Sequence, residues 1–395
     1  MRILLSFESL VGFAGTESYA VTVAHELIRL GHDAAIYAPN RGASAEAASE
    51  LGIPVLSGSQ LPRCCDLVIA SDAATFHDLV GRGLDAVVVL VVHSADFMLQ
   101  APPQLSHRCD AIVVLNDRIR RAVEARAWHA PIVRLNQPID LFRHRARGPA
   151  RPTARTALVA TNYVAGTRAE LIEQACRACG LQVSWIGSTT ASTPFPEFAI
   201  AGADVVIGLG RTVLEAMAGG RAAYVYGIVG GDGWVTPERY PAMEADGFAG
   251  TAFADVMIDA ATMADGLRCW TGDMGERNRD LASAHHSARE HAIKLVELAR
   301  GLARSPEAEV ALSDELAHLI RLQWHSEGQA IASQREAAAL RALLGEREAQ
   351  VAEVAARLAA AGVQLESLRA TRRYRLASRV AEPLDRLRKA WDLRR

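Results

Sequence analysis

The most constraining feature of this sequence is the alternation of short apolar runs with amphipathic helical patterns. In the first half, the runs that predict strands are RILLSF, DAAIYA, CDLVIAS, DAVVVLVVH, CDAIVVLN and APIVRLN. Their apolar residues are consecutive rather than alternate, which is typical of parallel strands buried on both faces. A helix between the first two runs places one apolar face inward and ends before Gly31. Residues 1–145 are therefore predicted to form a parallel α/β domain.

A basic segment separates this half from a second series of strands. RHRARGPARPTAR (143–155) contains two prolines and no periodic pattern, which predicts a linker. The alternation then resumes with TALVAT, LQVSWIG, ADVVIG and RAAYVYG, which predict a second domain over 151–303. The expected fold class is α/β, with two doubly wound, Rossmann-like domains that face a cleft between them.

The remaining residues, from 305, predict helix. Leucine and valine recur every seven positions, at Leu344, Val351, Leu358 and Leu365. A second apolar series occupies the other core position of each heptad and is interrupted by Arg347; its members are Leu340, Val354, Ala361 and Leu368. This pattern predicts a coiled coil over 340–368, within a helical segment 305–371, that joins copies of the chain. A single amphipathic helix packed on its own domain is the alternative.

The last segment, 372–395, is basic and amphipathic. Ten Arg or Lys side chains follow from Arg369 onward, with Leu, Val and Trp at helical spacing. Such a helix suits the surface of an anionic membrane. It suits equally a solvated helix that packs on an acidic patch of its own chain.

Composition sets limits on the class of protein. The chain has 395 residues, 50% of them hydrophobic, and a net charge of −2, which gives no indication of nucleic-acid binding. The longest apolar run, AVVVLVV, is far shorter than the ~20 residues of a membrane span. Six scattered cysteines predict reduced thiols and a cytoplasmic protein, with Cys176 and Cys179 as buried or half-buried helix residues. His285 and His286 are expected on the surface.

The most informative motif is ADVVIGLGRTVLEAMAGGRAAYVYG, at residues 203–227. Gly208 and Gly210 allow the backbone to approach a ligand, and the helix that follows offers unpaired N–H groups to a diphosphate. Arg211 could add a bidentate positive charge. Thr212 and Glu215 have the spacing of a capping box. Alternatively, Glu215 accepts hydrogen bonds from a ribose diol.

This motif resembles the C-terminal half of the GT-B glycosyltransferases, especially the retaining family 4 class with its LEAMA-x-G-x-P/A-V run. The resemblance implies that Glu215 holds the ribose of a nucleotide sugar and that the loop amides hold its diphosphate. VGFAGTESYAVTVAHELIRLGHDAAIYAP resembles the N-terminal signature, which implies that Gly15 and Thr16 face the donor phosphates and the acceptor. VVHS implies that His93 lies near the donor sugar. IVRLNQPIDLFRH resembles the run that closes the N-terminal domain, so the resemblance covers about residues 1–300.

Three departures from the family pattern affect the chemistry. Ile207 stands where the family usually has a second Glu that touches the donor sugar, so retention of configuration is not assured. The family usually has a pair of basic residues that clamps the diphosphate. This sequence has only Arg168 at those positions, and Arg211 is the candidate to replace the missing basic residue. GRTVLEA is also similar to inverting GT-B enzymes and to nucleotide-sugar 2-epimerases.

A glycine-rich segment, GIVGGDGWVTPERY (227–240), follows the next strand. We expect it to form a loop beside the cleft, with Asp232 or Trp234 in contact with the sugar. A rigid turn around a packed Trp is the alternative.

The sequence thus predicts a glycosyltransferase that moves a sugar from a nucleotide-diphosphate donor to a glycan or lipid-linked saccharide. His93 and Asp232 are the predicted catalytic residues, and no metal or other cofactor is expected. Two alternatives remain: an inactive GT-B-like subunit that recruits partner enzymes through the coiled coil, and a nucleotide-sugar 2-epimerase.

Overall fold

A computed structural model describes most of the chain, namely residues 1–94, 98–100, 102, 109–125, 130–145, 151, 153–162, 164–187, 193, 195–227, 230–253, 259–303 and 313–377. The strands are β1 Arg2–Ser6, β2 Ser9–Leu10, β3 Asp33–Tyr37, β4 Asn40–Arg41, β5 Val55–Leu56, β6 Cys64–Ala70, β7 Asp85–Val92, β8 Ala111–Val114, β9 Ile132–Arg134, β10 Thr156–Ala160, β11 Gln182–Ile186, β12 Val205–Gly208, β13 Ala222–Gly227 and β14 Gly230–Trp234. The helices are α1 Gly15–Arg29, α2 Ala43–Glu50, α3 Ala73–Gly81, α4 Asp117–Glu124, α5 Thr167–Ala178, α6 Pro196–Gly202, α7 Arg211–Ala218, α8 Tyr240–Ala245, α9 Ala260–Arg268, α10 Met274–His285, α11 Ala288–Gly301 and α12 Ser313–Ala370. The chain divides into a unit Met1–Glu327 and a unit that begins at Gly328.

The first sheet is parallel and has the strand order β5-β3-β1-β6-β7-β8-β9. Six of its strands are the apolar runs predicted from the sequence, while the two-residue edge strand β5 was not predicted. A separate short pair, β2 with β4, was also not predicted. The strand order reverses between β1 and β6, and a crevice opens at the carboxyl ends of strands at such a point.

Both faces of this sheet are buried, as the continuous apolarity predicted. Ile3 and Leu5 of β1 lie in one apolar cluster with α1, whereas Leu4 lies in the opposite cluster with residues of α3 and α4. Successive side chains of a strand point to opposite faces. Helices must therefore cover both faces, which is the doubly wound arrangement.

The second sheet has the order β11-β10-β12-β13-β14. β10 to β13 were predicted and are parallel, and β14 is an antiparallel edge strand. Leu158 and Val206 pack with α7 and α10 on one face, while Val159 and Ile207 pack with α5 and α9 on the other. Cys176 is buried on α5, and Cys179, the C-cap residue of that helix, is half-buried, as predicted.

Helix α11 returns to the first sheet. Its apolar stripe shares a cluster with α1: Ala292, Leu295, Val296 and Ala299. The pattern of runs predicted that the second domain extends to residue 303. The structure instead packs 288–301 on the N-terminal half, because this stripe is buried there rather than against the second sheet.

Two buried histidines hold the segment that joins the halves. His286 Nδ1 lies 2.9 Å from the carbonyl oxygen of Gln137, and His291 Nδ1 lies 2.9 Å from that of Asn136. Their Nε2 atoms lie 2.9 Å from tyrosine hydroxyls. Burial lowers the pKa of each imidazole to about 4. His285 is exposed as predicted, but the prediction for His286 was wrong because the ring fills this junction.

The first turns of α12 are held to the first sheet by one arginine. Arg321 Nε lies 3.1 Å from each carboxylate oxygen of Glu8, and the same guanidinium forms an ion pair with Asp78. The Tyr37 hydroxyl donates to Asp78 at 2.8 Å. Both carboxylates are buried, so this contact fixes the helix start through neutralisation of two buried charges.

Beyond Glu327, α12 continues as a single helix to Ala370, as the sequence predicted. Its apolar side chains at the predicted coiled-coil positions are exposed, including Leu344, Val351 and Leu358. Among the described residues, no helix combines the length and apolarity that a membrane crossing requires. Of the predicted basic tail, residues 378–395 lie outside the described part of the chain.

Candidate functional site

A cavity of about 480 Å³ lies between the two halves of the 1–327 unit. The start of α1 and part of α2 line its N-terminal side. The ends of β10 and β11, the start of α6 and the turn from β12 into α7 line the other side. The strand order of the second sheet reverses between β10 and β12. Ligands of doubly wound folds bind at this kind of switch point, and the volume is ordinary for a small-molecule site.

The turn that leads into α7 directs a helix N-terminus to this cavity. Gly210 is the N-cap residue with a φ of 56°, and no side chain caps the helix. A Cβ at Gly208 would lie 2.8 Å from the carbonyl oxygen of Ala160, so the turn packs directly against β10. Thr212 lines the cavity as the second residue of the helix rather than as its cap. The first-turn N–H groups and the positive end of the helix dipole are therefore available to an anion.

Glu215 lines the cavity and does not form a capping box. Its Oε1 accepts a hydrogen bond from Arg211 Nε at 3.0 Å, one helical turn back. Both side chains are about 10% exposed, at 10% for Arg211 and 11% for Glu215. The structure thus excludes the capping role that the spacing allowed and leaves the carboxylate facing the ligand space.

Arg211 connects the two halves of the unit. Its Nη1 donates to the carbonyl oxygen of Pro138 at 3.1 Å, and its Nη2 donates to Thr22 Oγ1 on α1 at 3.2 Å. Burial lowers the pKa of Arg211, while Glu215 acts against that effect. The guanidinium therefore joins α7, the connecting segment and α1 at the edge of the cavity.

The N-terminal side of the cavity has a second uncapped helix start. Ala14 is the N-cap of α1 without a side-chain hydrogen bond, and Gly15 lines the cavity. The hydroxyl of Thr16 donates to Glu17 at 2.8 Å, and Glu17 rather than Thr16 lines the cavity. Gly15 and the α7 turn thus face the same space from opposite halves.

Three polar residues of the cavity were missed in the sequence analysis. Arg143 forms two parallel hydrogen bonds of 3.1 Å with the Glu197 carboxylate. His144 Nε2 lies 4.0 Å from Glu215 Oε1, and its buried Nδ1 has no hydrogen-bond partner among the described residues. Burial lowers the pKa of His144 despite the neighbouring Glu215. The sequence placed Arg143 and His144 in the linker 143–155, although they are also the last two residues of IVRLNQPIDLFRH, the run that closes the first domain.

No protein-family model matches this chain. No curated protein matches it either. Solved structures do match it. HepE of Anabaena, solved with UDP and glucose, is 12% identical over 75% of this chain and 99% of its own, with a TM-score of 0.51. The pneumococcal O-GlcNAc transferase GtfA, solved with UDP and GlcNAc, is 9% identical over 76% of this chain and 98% of its own, also with a TM-score of 0.51. Both solved structures have the GT-B fold.

The chain has the GT-B fold. In this GT-B chain the cleft between the Rossmann-like halves is the cavity described above, with Gly15, Arg211, Thr212 and Glu215 among its lining residues. At such low identity the similarity establishes the fold alone.

His93 follows β7 but is not among the residues that line the cavity. Its ring packs edge-on against Tyr19 at 4.6 Å between centroids, and its Nε2 lies 3.1 Å from Ser71 Oγ. Burial, with smaller effects of His291 and Arg211, lowers the pKa of His93 to about 3. The imidazole is therefore neutral at ordinary pH and is held by protein contacts.

Arg168 lies away from the cavity. Its Nη1 donates to the Tyr226 hydroxyl at 2.9 Å, and it is not among the lining residues. The described structure thus places Arg211, and not Arg168, beside the α7 turn.

Asp232 is placed by a strand that the sequence analysis predicted as a loop. Residues 230–234 form β14, and the Asp232 carboxylate accepts the N–H groups of Phe253 at 2.8 Å and Ala252 at 3.2 Å. Trp234 packs on Tyr224 and donates to the carbonyl oxygen of Gly266. Asp232 thus fixes the chain beside the sheet edge, outside the cavity lining, which corresponds to the alternative of a structural segment around a packed Trp.

Ile207 is 0% exposed in β12. It belongs to the apolar cluster on the α5 side of the sheet, opposite the face that carries α7. Its side chain is therefore directed away from the cavity. Within the described ranges, no group of three or more His, Cys, Asp or Glu side chains could hold a metal ion.

Proposed function

We propose that this chain is a glycosyltransferase that uses a nucleoside diphosphate sugar as donor. The observation that carries the proposal is the pairing of an uncapped helix start at α7 with the Glu215 carboxylate in one cavity at the switch point. A diphosphate needs donors and positive potential, whereas a ribose diol needs an acceptor. The N–H groups at the start of α7 are the donors, and Glu215, one helical turn later, is the acceptor.

In this proposal the diphosphate binds the N–H groups of Arg211 and Thr212, and Gly15 approaches it from the N-terminal half. Glu215 accepts hydrogen bonds from the ribose hydroxyls. As the bond between sugar and phosphate breaks, charge develops on the leaving diphosphate, and fixed amide dipoles with the Arg211 guanidinium stabilise it. In this proposal the positive charge that the diphosphate requires comes from the Arg211 guanidinium and not from a resident metal ion.

Uridine is the first nucleoside to test, because both structures described above were solved with UDP. The acceptor that we propose is a growing glycan or a lipid-linked saccharide, as the sequence resemblance implies. Transfer with retention of configuration would have to proceed without a carboxylate at Ile207.

Ile207 also favours a second candidate function, a GT-B-like binding subunit without turnover. A change of Ile207 to Glu is a poor test, since it would bury a carboxylate in the apolar cluster beside α5. Turnover by the native chain is the better criterion. Release of UDP from UDP-sugars above the uncatalysed rate would exclude the inactive subunit, and a new nucleotide sugar without acceptor would favour the epimerase.

The first experiment is calorimetric titration of the full chain with UDP, GDP, ADP and CDP. We expect one nucleotide to bind at one site per chain. Thr212→Pro would remove one N–H group of the first helical turn, where N–H groups have no partner within the helix, and should weaken binding. Absence of binding to all four nucleotides by the folded chain would contradict the proposal.

We also propose that residues 340–368 join copies of the chain. The exposed stripe occupies only two positions of each heptad, which is narrower than a helix packed on a globular domain needs.

A further inference from the structure

We propose that Phe195 stacks on the nucleobase of the donor and thereby forms the nucleobase subsite of the cavity. The proposal rests on the proposed function, and it assigns a role to a residue that no sequence motif indicated. It concerns a half-exposed aromatic ring that lines the cavity at the start of α6.

The location follows from the strand order. The cavity is lined by residues at the ends of β12, β10 and β11. These strands lie side by side in that order, because Ala160 of β10 pairs with Gly208 of β12 on one side and with Ile186 of β11 on the other. Neighbouring strands are about 4.8 Å apart, so the end of β11 lies about 10 Å from the α7 turn. A diphosphate at that turn with its ribose on Glu215 directs the base towards the ends of β10 and β11. Gly187 lines the cavity directly after β11, and Phe195 lines it at the start of α6, the helix that packs on β10 and beside α7.

The Phe195 backbone is held in place. Its N–H donates to Thr193 Oγ1 at 3.1 Å, and Pro196 follows as the first residue of α6 with its fixed φ. The ring is 51% exposed and meets Phe198 at 6.2 Å between centroids with an interplanar angle of 72°. Phe198 therefore supports it in an edge-to-face arrangement. A large apolar ring that is exposed at a cavity mouth suits a flat ligand, and every nucleobase has a π-face.

The polar groups around the ring agree with a base rather than with a second phosphate. Glu197 adjoins Phe195 and binds Arg143 through both carboxylate oxygens, so the arginine here is already neutralised. Thr161 and Asn162, which directly follow β10, also line the cavity and carry groups that can form hydrogen bonds with the edge of a base.

The test compares Phe195→Ala with Phe253→Ala as a matched control. Phe253 is the same residue type and is 47% exposed, compared with 51% for Phe195, but it is not among the lining residues and makes no ring contact with Phe195. For the full chain, calorimetry measures binding of UDP, GDP, ADP and CDP, and of inorganic pyrophosphate. We expect Phe195→Ala to weaken the best nucleotide by about 5- to 150-fold, the range for loss of one stacked base. Phe253→Ala should change its affinity by less than about threefold.

Two further measurements separate stacking from general damage. Phe195→Tyr should restore affinity, and pyrophosphate binding should be equal in all variants because it does not reach the ring. In proton NMR, the base protons of the bound nucleotide should shift upfield with the native chain and not with Phe195→Ala. Thermal melting checks that each variant is folded.

Each outcome decides between the two proposals. If the native chain binds no nucleotide, the proposed function and this inference both fail. If the nucleotide binds and Phe195→Ala leaves its affinity unchanged, the inference alone fails, and the ring then serves another group such as an apolar acceptor. An equal loss of nucleotide and pyrophosphate affinity would also overturn it, because that result indicates a distorted cavity.

Discussion

Glu215 offers the sharpest test of the proposed site, through its replacement by Gln. Glu215 is 8% exposed and accepts a hydrogen bond from Arg211 at 3.0 Å. Gln has nearly the same shape and keeps one oxygen for the arginine, but it loses the charge and one acceptor. The substitution therefore removes what a ribose diol requires and leaves the packing of α7 in place.

The expected effect on binding follows from the strength of charged hydrogen bonds. A hydrogen bond to an ionised group contributes about 1.5–3 kcal/mol, against about 0.5–1.5 kcal/mol for a neutral one. Loss of the charge, with one bond retained, should cost about 2 kcal/mol of binding free energy, which is about 30-fold in Kd. The native stability should also fall by about 1–3 kcal/mol, because Arg211 is buried and loses its counter-charge.

The stability loss requires a matched control. Glu244 forms an ion pair with Arg134, and its side chain is 12% exposed, compared with 11% for Glu215. It is not among the cavity-lining residues. Glu244→Gln should therefore also destabilise the fold, by less than Glu215→Gln because Arg134 keeps its ion pair with Asp117 at 3.0 Å, and it should leave nucleotide affinity unchanged. The free energies of unfolding come from urea titrations.

The assay that isolates the ribose contact is a cycle between protein and ligand. Calorimetry measures UDP and 2′-deoxy-UDP against the native chain and against Glu215→Gln. If Glu215 binds the diol, removal of the 2′-hydroxyl weakens binding to the native chain and has a much smaller effect on the variant. Equal losses in both proteins, or an unchanged Kd for UDP with Glu215→Gln, would refute the reasoning.

Three further predictions concern the rest of the chain. Between about pH 6.5 and pH 4 the unfolded state protonates His286 and His291 while the folded state, with their pKa near 4, does not. The free energy of unfolding should therefore decrease as the pH is lowered through this window, by about 1.4 kcal/mol per pH unit for each histidine. In urea titrations, a variant with both histidines changed to Gln should show a weaker dependence of this free energy on pH. Arg321→Met should cost about 3 kcal/mol because it leaves two buried carboxylates without their cation, whereas Arg357→Met, on the exposed surface of α12, should cost less than about 0.5 kcal/mol; equal melting temperatures would contradict this contact. Leu358→Glu, at a position 76% exposed in the single chain, should reduce the mass in light scattering to that of a monomer without a change in melting temperature, and an unchanged mass would reject self-association through 340–368.

Much of the fold was predictable because its signal is local. Ten strands appear in the sequence as continuous apolar runs, and burial on both faces explains both the runs and the observed two-sided cores. The strands that were missed are short or glycine-rich: β5 has two residues, and β14 consists largely of glycine. Such segments bury too little apolar surface to leave a pattern, and their pairing is decided by the neighbouring strand.

The site was predictable only where its parts are consecutive. The turn around Gly210, Arg211 and Glu215 could be proposed because a helix start and its nearby residues form one local unit. Asp232 was expected at the cavity, but its carboxylate holds the backbone of Phe253, twenty-one residues away. Arg143 and His144 were assigned to a linker, and nothing in their immediate sequence shows that they meet Glu197 and Glu215.

The sequence by itself determined two doubly wound halves and a long helical extension. It also determined one helix that begins after a glycine turn and carries a carboxylate in its second turn. These features depend on periodicity and on residues within a few positions of each other. The tertiary structure alone decided which role Glu215 takes, which arginine lies beside the helix start, and which aromatic ring is exposed at the cavity. Those outcomes depend on contacts between residues tens to hundreds of positions apart, such as Arg211 with Thr22, and packing of the two halves brings them together.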